Sequence, residues 1–277
     1  MDTILFLAAP ITACLLLSGI LGYFGNHILS RGVIFVDIAV AQVAALGTMI
    51  GILLGANEGS LFSSLFSLGF TLIIVSAFAI SKFKHKEFSQ EVIIGIIYCM
   101  ALAAAMVMVD MVTGGSNFIQ KTLTGAILWV TWKDNLILFI IFSVILLLHM
   151  FFLKKFIKIS QGERDSFPLS ELRLLELVFY ITFGIVVVQS VKIGGIFMVF
   201  MYLIGPAAMT HFITENWRKR FFLSWIFGFL GSLIGLFVSF KYSFSNGPTI
   251  VCTLGLMLFF IALFSKNPNK HTAQIIE

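Results

Sequence analysis

Asp37 is the one carboxylate that reads as lying well inside an apolar stretch, with Ile34, Val36, Ile38 and Val40 around it. A charge there needs a reason, because an Asp at mid-membrane depth is disfavoured by about 2.5–3.5 kcal/mol on insertion scales. Residues four, seven, eight and eleven positions further on share its helix face, and they read Ala41, Ala44, Ala45 and Thr48. A small, weakly polar face with one acid can line a path for a cation. It can equally make a close helix contact, since small residues let backbones approach; Asp37 would then pair with Arg31 or cap a neighbouring backbone. Asp37, Ala41, Gln42 and Thr48 are therefore the candidate path residues, with Asp37 as the candidate metal ligand, although Gln42 points about 140° away around the helix. Gln189 and Lys192 read as span-end residues, where a Lys can snorkel to water. His149 and His211 read as span-end residues too, and His27 and His85 as loop residues. No His, Asp, Glu or Cys pair has the spacing of a closed metal site. The sequence contains no His-Glu-x-x-His, no Gly-x-Ser-x-Gly and no phosphate-cradling glycine loop. The chain therefore reads as non-catalytic, and energy for pumping must come from an ion gradient or a partner subunit.

The elements that must position these residues follow from composition. Of 277 residues, 59% are apolar and 11% are charged. A soluble domain carries roughly 25% charged residues, so a soluble globular domain, a disordered chain and a nucleic-acid-binding domain are excluded. Cys14, Cys99 and Cys252 lie in separate apolar runs and offer no disulfide framework. A bilayer core of about 30 Å is crossed by helices of ~20 residues or by a closed barrel. The long continuous apolar blocks favour helices, and the fold class is an all-α polytopic bundle in a single domain, residues 1–277. Nine blocks read as spans: 3–25, 32–55, 61–81, 91–112, 136–153, 172–191, 195–213, 221–240 and 249–265. Eight to ten are open if 117–131 or 195–213 is re-entrant. Segment 117–131 suits a short helix near an interface. The first block is read as a span rather than a signal peptide. Gly205-Pro206, inside the seventh block, predicts a kink that either gates a path or only shapes packing.

Fourteen of the 18 basic residues fall on one set of alternate loops, and Lys121, Lys133, Lys192 and Lys241 on the other. The positive-inside rule places the larger set in the cytoplasm. This puts the N-terminus outside and the C-terminus inside, which an odd number of spans allows.

Three stretches resemble the permease subunits of ATP-binding-cassette importers for zinc, manganese or iron, the ABC-3 family. They are Arg31-x5-Asp37 running on to Gly47, the run VKIGGIFMVFMYLIGPAAMT at 191–210, and GLFVSFKYSFSNGPTIV at 235–251. Weaker likeness covers 95–107 and 123–131. The chain departs from the family pattern at Ala41, where members carry a metal-binding His or Glu. The usual Ala-x-x-x-Gly coupling element is also replaced by the basic segment 154–173. The resemblance implies a divalent-metal importer of the bacterial cytoplasmic membrane, with no cofactor of its own. It implies a homodimer with Asp37 of each copy facing its mate, cytosolic ATPase subunits and an extracytoplasmic substrate-binding protein. Lys154, Arg164, Glu171 and Arg173 then mark the ATPase coupling loop, where a short coupling helix is expected, and hard oxygen ligands favour manganese or iron over zinc. A stand-alone secondary transporter or channel is the alternative, followed by an intramembrane enzyme or a structural membrane protein.

Overall fold

The structure is a computed structural model that describes residues 2–81, 90–112 and 114–265. Among these, α-helices cover α1 Asp2–Arg31, α2 Val36–Leu53, α3 Leu61–Ser81, α4 Gln90–Val109, α5 Gly115–Thr124, α6 Trp132–Ser160, α7 Leu169–Ile213, α8 Trp217–Tyr242 and α9 Asn246–Phe264. All but α5 are long and apolar enough to cross a membrane, which makes eight such helices. Lys82, Lys84, Lys86, Lys266, Lys270 and His85, which bear on the charge asymmetry and the histidine reading, lie outside the described residues.

The core is built on α1 and α7. Cys14, Leu17, Leu21, Phe24 and Ile28 recur every three or four residues of α1 and are fully covered. They pack against α7, α8 and α6. The outer helices present the opposite pattern. Ile73, Met100, Phe151, Phe237 and Phe264 are exposed on α3, α4, α6, α8 and α9, as expected where hydrocarbon is the solvent.

α7 turns back on itself. Its Glu176 meets Arg31, and its Thr210 meets Asn26. A straight helix would hold those α7 residues about 50 Å apart at 1.5 Å per residue. Arg31 and Asn26 are only five residues apart on α1. The reversal falls at Gly195 (φ 74°, ψ 166°), the one residue of α7 outside helical φ/ψ. Only glycine readily adopts that conformation. The predicted blocks 172–191 and 195–213 are therefore the two arms of one element, and the described residues run the length of the bundle nine times on eight long helices.

Several boundaries differ from expectation for local reasons. α1 continues past Gly25 to Arg31, because Gly25 is where the Leu203 carbonyl approaches, and no side chain would fit there. Asp37 does not lie six residues deep in a continuous helix from Arg31. A break at 32–35 separates α1 from α2, so Asp37 sits in the first turn of α2. α6 starts early because Thr131 and Asp134 form a reciprocal capping box, and it runs through Lys154, Lys155 and Lys158 to Ser160. The following loop is short, and a three-residue 3-10 turn at Arg164–Ser166 stands where a coupling helix was expected. Segment 117–131 forms α5 and a second 3-10 turn, Ile127–Trp129, with Trp129 and Trp132 79% and 60% exposed.

Candidate functional site

The basic end of the bundle holds a buried polar network. Arg31 Nη1 donates to Glu176 Oε2 at 2.6 Å, and Arg164 Nη2 donates to Glu176 Oε1. The Arg31 guanidinium also lies 3.7 Å above the centre of the Phe179 ring. Its Nε donates to Ser160 Oγ at 3.0 Å, and the same hydroxyl meets His27 Nδ1 at 2.8 Å. His149 bridges Tyr23 Oη at 3.0 Å and Thr182 Oγ1 at 2.8 Å. These contacts tie α1, α6, α7 and the loop carrying Arg164 into one unit.

Two histidines of this network lie deeper than their places in the sequence suggest. His27 is not in a loop; it is fully buried in α1. His149 is not a span-end residue; it is 1% exposed in the interior of α6. Glu176 was missed by sequence reasoning, although it lies within the predicted block 172–191. Arg31 and Arg164, expected at the same end, were the signal for a buried partner. Among the described residues, no group of three or more His, Cys, Asp or Glu could hold a metal.

Asp37 stands apart from this network. Arg31 is engaged with Glu176, so the alternative pairing of Arg31 with Asp37 is absent. Asp37 is 1% exposed, and its Oδ1 has no hydrogen-bond partner among the described residues. The helices of its own chain cover it. The expected arrangement, with Asp37 facing a second copy across a shared path, belongs to an assembly of two chains; within the single chain Asp37 lies beneath its own helices. Its position in the first turn of α2 provides some compensation, since the positive end of the helix dipole favours an anion.

A cavity of about 670 Å³ opens toward the other end of the bundle. From α2 it is lined by Ala44, Ala45 and Thr48, from the α7 reversal by Gln189 and Lys192, and from α3 by Ser63, Ser64 and Ser67. Phe118, Lys121 and Thr122 of α5 close another side. Gln189 and Lys192, read as plain span-end residues, thus share a cavity with Thr48. Asp37 and Ala41 do not line it. They continue the same α2 face below Ala44, with Asp37 about 10 Å further along the helix. Gln42 faces a separate cavity of about 20 Å³, in keeping with its different angle around the helix.

The remaining candidates are dispersed. Gly205 and Pro206 are buried in the second arm of α7, with helical backbone through both. The Pro206 carbonyl accepts a bond from Ser224 Oγ at 3.5 Å, and its ring lies close to Gly228; both belong to the α1–α7–α8 packing rather than the cavity wall. Lys154 is exposed on α6, and Arg173 is exposed on α7. Glu171 pairs with Lys155 at 2.6 Å, and Arg164 is held by Glu176.

A family model described as ABC 3 transport family matches residues 3–266. The manganese transport system membrane protein MntC of Listeria innocua serovar 6a is 24% identical over 246 residues, 88% of this chain and 85% of that protein. The manganese import system permease protein ScaB of Streptococcus gordonii is 23% identical over 263 residues, 93% of this chain and 91% of that protein. The structure of PsaBC from Streptococcus pneumoniae in complex with Fab superposes with a TM-score of 0.75 at 22% identity, covering 98% of this chain and 95% of that one.

Proposed function

This chain belongs to the ABC 3 transport family, as a multi-pass and non-catalytic membrane permease, and from that premise we propose that it imports a divalent metal ion, manganese or iron before zinc. The observation that carries the reading is Asp37. A buried carboxylate with an unpartnered oxygen is costly in a low-dielectric interior unless a proton or a cation joins it, and a metal ion can displace the proton. The α2 face above it leads through Ala41 to a cavity that is open at the far end. Two manganese-transport relatives at this coverage support the cargo class.

In this mechanism each chain carries its own path. The cavity is the outer vestibule, fed by an extracytoplasmic binding protein. Thr48 and the α2 face guide the ion down to Asp37, whose oxygens suit a hard cation. Cytosolic ATPase subunits dock on the basic end, at the loop between α6 and α7. Arg164 joins that loop to Glu176 and Arg31, so displacement of the loop is felt at the end of α1, next to the 32–35 break that precedes Asp37. Nucleotide binding then shifts the population between outward-open and inward-open forms. Two permease chains pair as a closed dimer.

Elemental analysis of cells grown in metal-poor medium tests this reading. Wild type, a deletion strain and Asp37→Asn are compared by mass spectrometry. The expected result is a several-fold fall in manganese or iron in both mutants. A fall in the deletion strain alone would leave Asp37 off the path, and no change in any metal would overturn the importer reading.

A further inference from the structure

We propose that Glu91 of α4 is a positioning residue for Asp37. Its carboxylate fastens the break between α1 and α2, and so fixes the helix start that presents Asp37 to the metal; this role rests on the importer reading above.

The break has few fastenings of its own. Gly32 turns the chain at φ 67°, in open space. Phe35, the N-cap of α2, makes no side-chain cap bond, and its ring is 50% exposed. Backbone bonds run from the Gly32 N–H to the Leu29 carbonyl, from Val33 to Ile28 and from Val36 to Val33, at 3.2–3.4 Å. Those lengths lie at or beyond the long end of the usual range. The Ile34 N–H instead donates to Glu91 Oε1, at 2.8 Å. This is shorter than any of the three, and an ionised acceptor makes the stronger bond. An acid in the first turn of a helix is ordinary. This one reaches out of its own helix to hold the backbone of another.

Placement gives that bond its consequence. Ile34 stands three residues before Asp37, so the fastening acts within one turn of the acid. One residue of helix register corresponds to about 100° around the axis. A start of α2 that is free to slip or rotate therefore turns Asp37 off the face it shares with Ala41 and Ala44.

Glu91 is in turn held from the core side. Its neighbour Gln90 donates from Nε2 to the Phe78 carbonyl of α3 and to Tyr180 Oη of α7, each at 3.3 Å. Ile94, on the same side of α4 as Glu91, is fully covered, whereas Val92 and Ile96 are exposed. Tyr180 lies one turn beyond Glu176 on α7. The start of α4 thus joins the arm of α7 that neutralises Arg31 to the helix that carries Asp37.

The test is initial-rate uptake of radiolabelled manganese(II) and, in parallel, iron(II), over a range of concentrations. Deletion cells carry wild type, Asp37→Asn, Glu91→Ala or Glu91→Gln, and immunoblots of membranes correct for amount. Glu91→Ala is expected to raise the half-saturating concentration about tenfold, the scale of one hydrogen bond to a charged group, with the maximal rate per molecule largely kept. Glu91→Gln keeps an acceptor oxygen for the Ile34 N–H and is expected to recover most of the lost affinity. Thermal unfolding of the detergent-solubilised full chain gives a second readout. Manganese should raise the midpoint of wild type, and Glu91→Ala should need about tenfold more metal for the same rise. A merely weakened fold would lower the midpoint without moving that concentration. Unchanged half-saturation in Glu91→Ala, a fall in maximal rate alone, or equal affinity losses in Glu91→Ala and Glu91→Gln would each overturn the inference while leaving the importer reading standing. Wild-type affinity in Asp37→Asn would remove the role of Asp37 and this one with it. Uptake of neither metal above the deletion strain would remove the importer reading itself.

Discussion

Asp37 and Glu176 are carboxylates with 1% and 0% of their surface exposed, yet their surroundings differ. Glu176 accepts from two guanidinium groups. Asp37 has no ion-pair partner among the described residues. The first should be a stability residue and the second a function residue. Glu176→Leu leaves Arg31 buried without its counter-charge and should destabilise the protein by about 3–5 kcal/mol. The double change Arg31→Met with Glu176→Leu should recover much of that loss. Thermal unfolding of the detergent-solubilised protein reads both. Asp37→Asn should leave the unfolding midpoint unchanged or raise it while metal accumulation falls. Equal destabilisation by Asp37→Asn and Glu176→Leu would place Asp37 in the structural class. Asp37 was legible in the sequence because an acid among Ile and Val stands out. Glu176 was not, because burial of a charge near a span end depends on Arg31 and Arg164 arriving from elsewhere in the chain. Lys192 was visible as a residue, but its place in a cavity wall was not.

At the level of the element, the sharpest feature is the turn within α7. The Gly195 backbone lies against Gly125, and the Ala126 N–H donates to the Ile193 carbonyl at 3.0 Å. The reversal thus anchors the end of α5 as well as joining two long arms. A Cβ at Gly195 would require a disfavoured backbone and would meet the backbone of Thr124 and Gly125. Gly195→Ala should therefore destabilise by at least about 2 kcal/mol and reduce uptake, because α5 walls the vestibule. Gly69→Ala, in open space on α3, should be neutral or slightly stabilising by helix propensity. Unfolding midpoints of the two variants measure the contrast, and a harmless Gly195→Ala would show that the turn is not constrained as described. The two arms were legible as separate apolar blocks. Their junction was not, since Gly194-Gly195 reads as an ordinary small pair until the contacts show the chain doubling back. Gly205-Pro206 gave the stronger local signal for a break, but neighbouring helices hold that turn in helical geometry.

Over the whole molecule, the structure gathers Arg31, Arg164, Thr210 and Ser224 toward one end of the bundle, and Lys121, Glu58, Lys192 and Ser64 toward the other. This matches the alternation of basic loops, and the positive-inside rule predicts which end faces the cytoplasm. A membrane-impermeant maleimide applied to a cysteine-less background should label Phe244→Cys in intact cells and Glu163→Cys only after permeabilisation. The reverse pattern would invert the orientation. The sequence by itself determined that the chain is a helical membrane bundle, how many apolar segments it has, where charge is asymmetric and that one acid is out of place. Those properties follow from hydropathy and from helical periodicity, which are local. Only the tertiary structure decided that two segments are arms of one helix and that Glu176 neutralises Arg31. It also decided that Asp37 is enclosed by its own chain and that Thr48, Gln189 and Lys192 share one cavity. Each of those facts joins residues far apart along the chain, and sequence spacing carries no information about which distant faces meet when α1, α2, α3 and α7 pack.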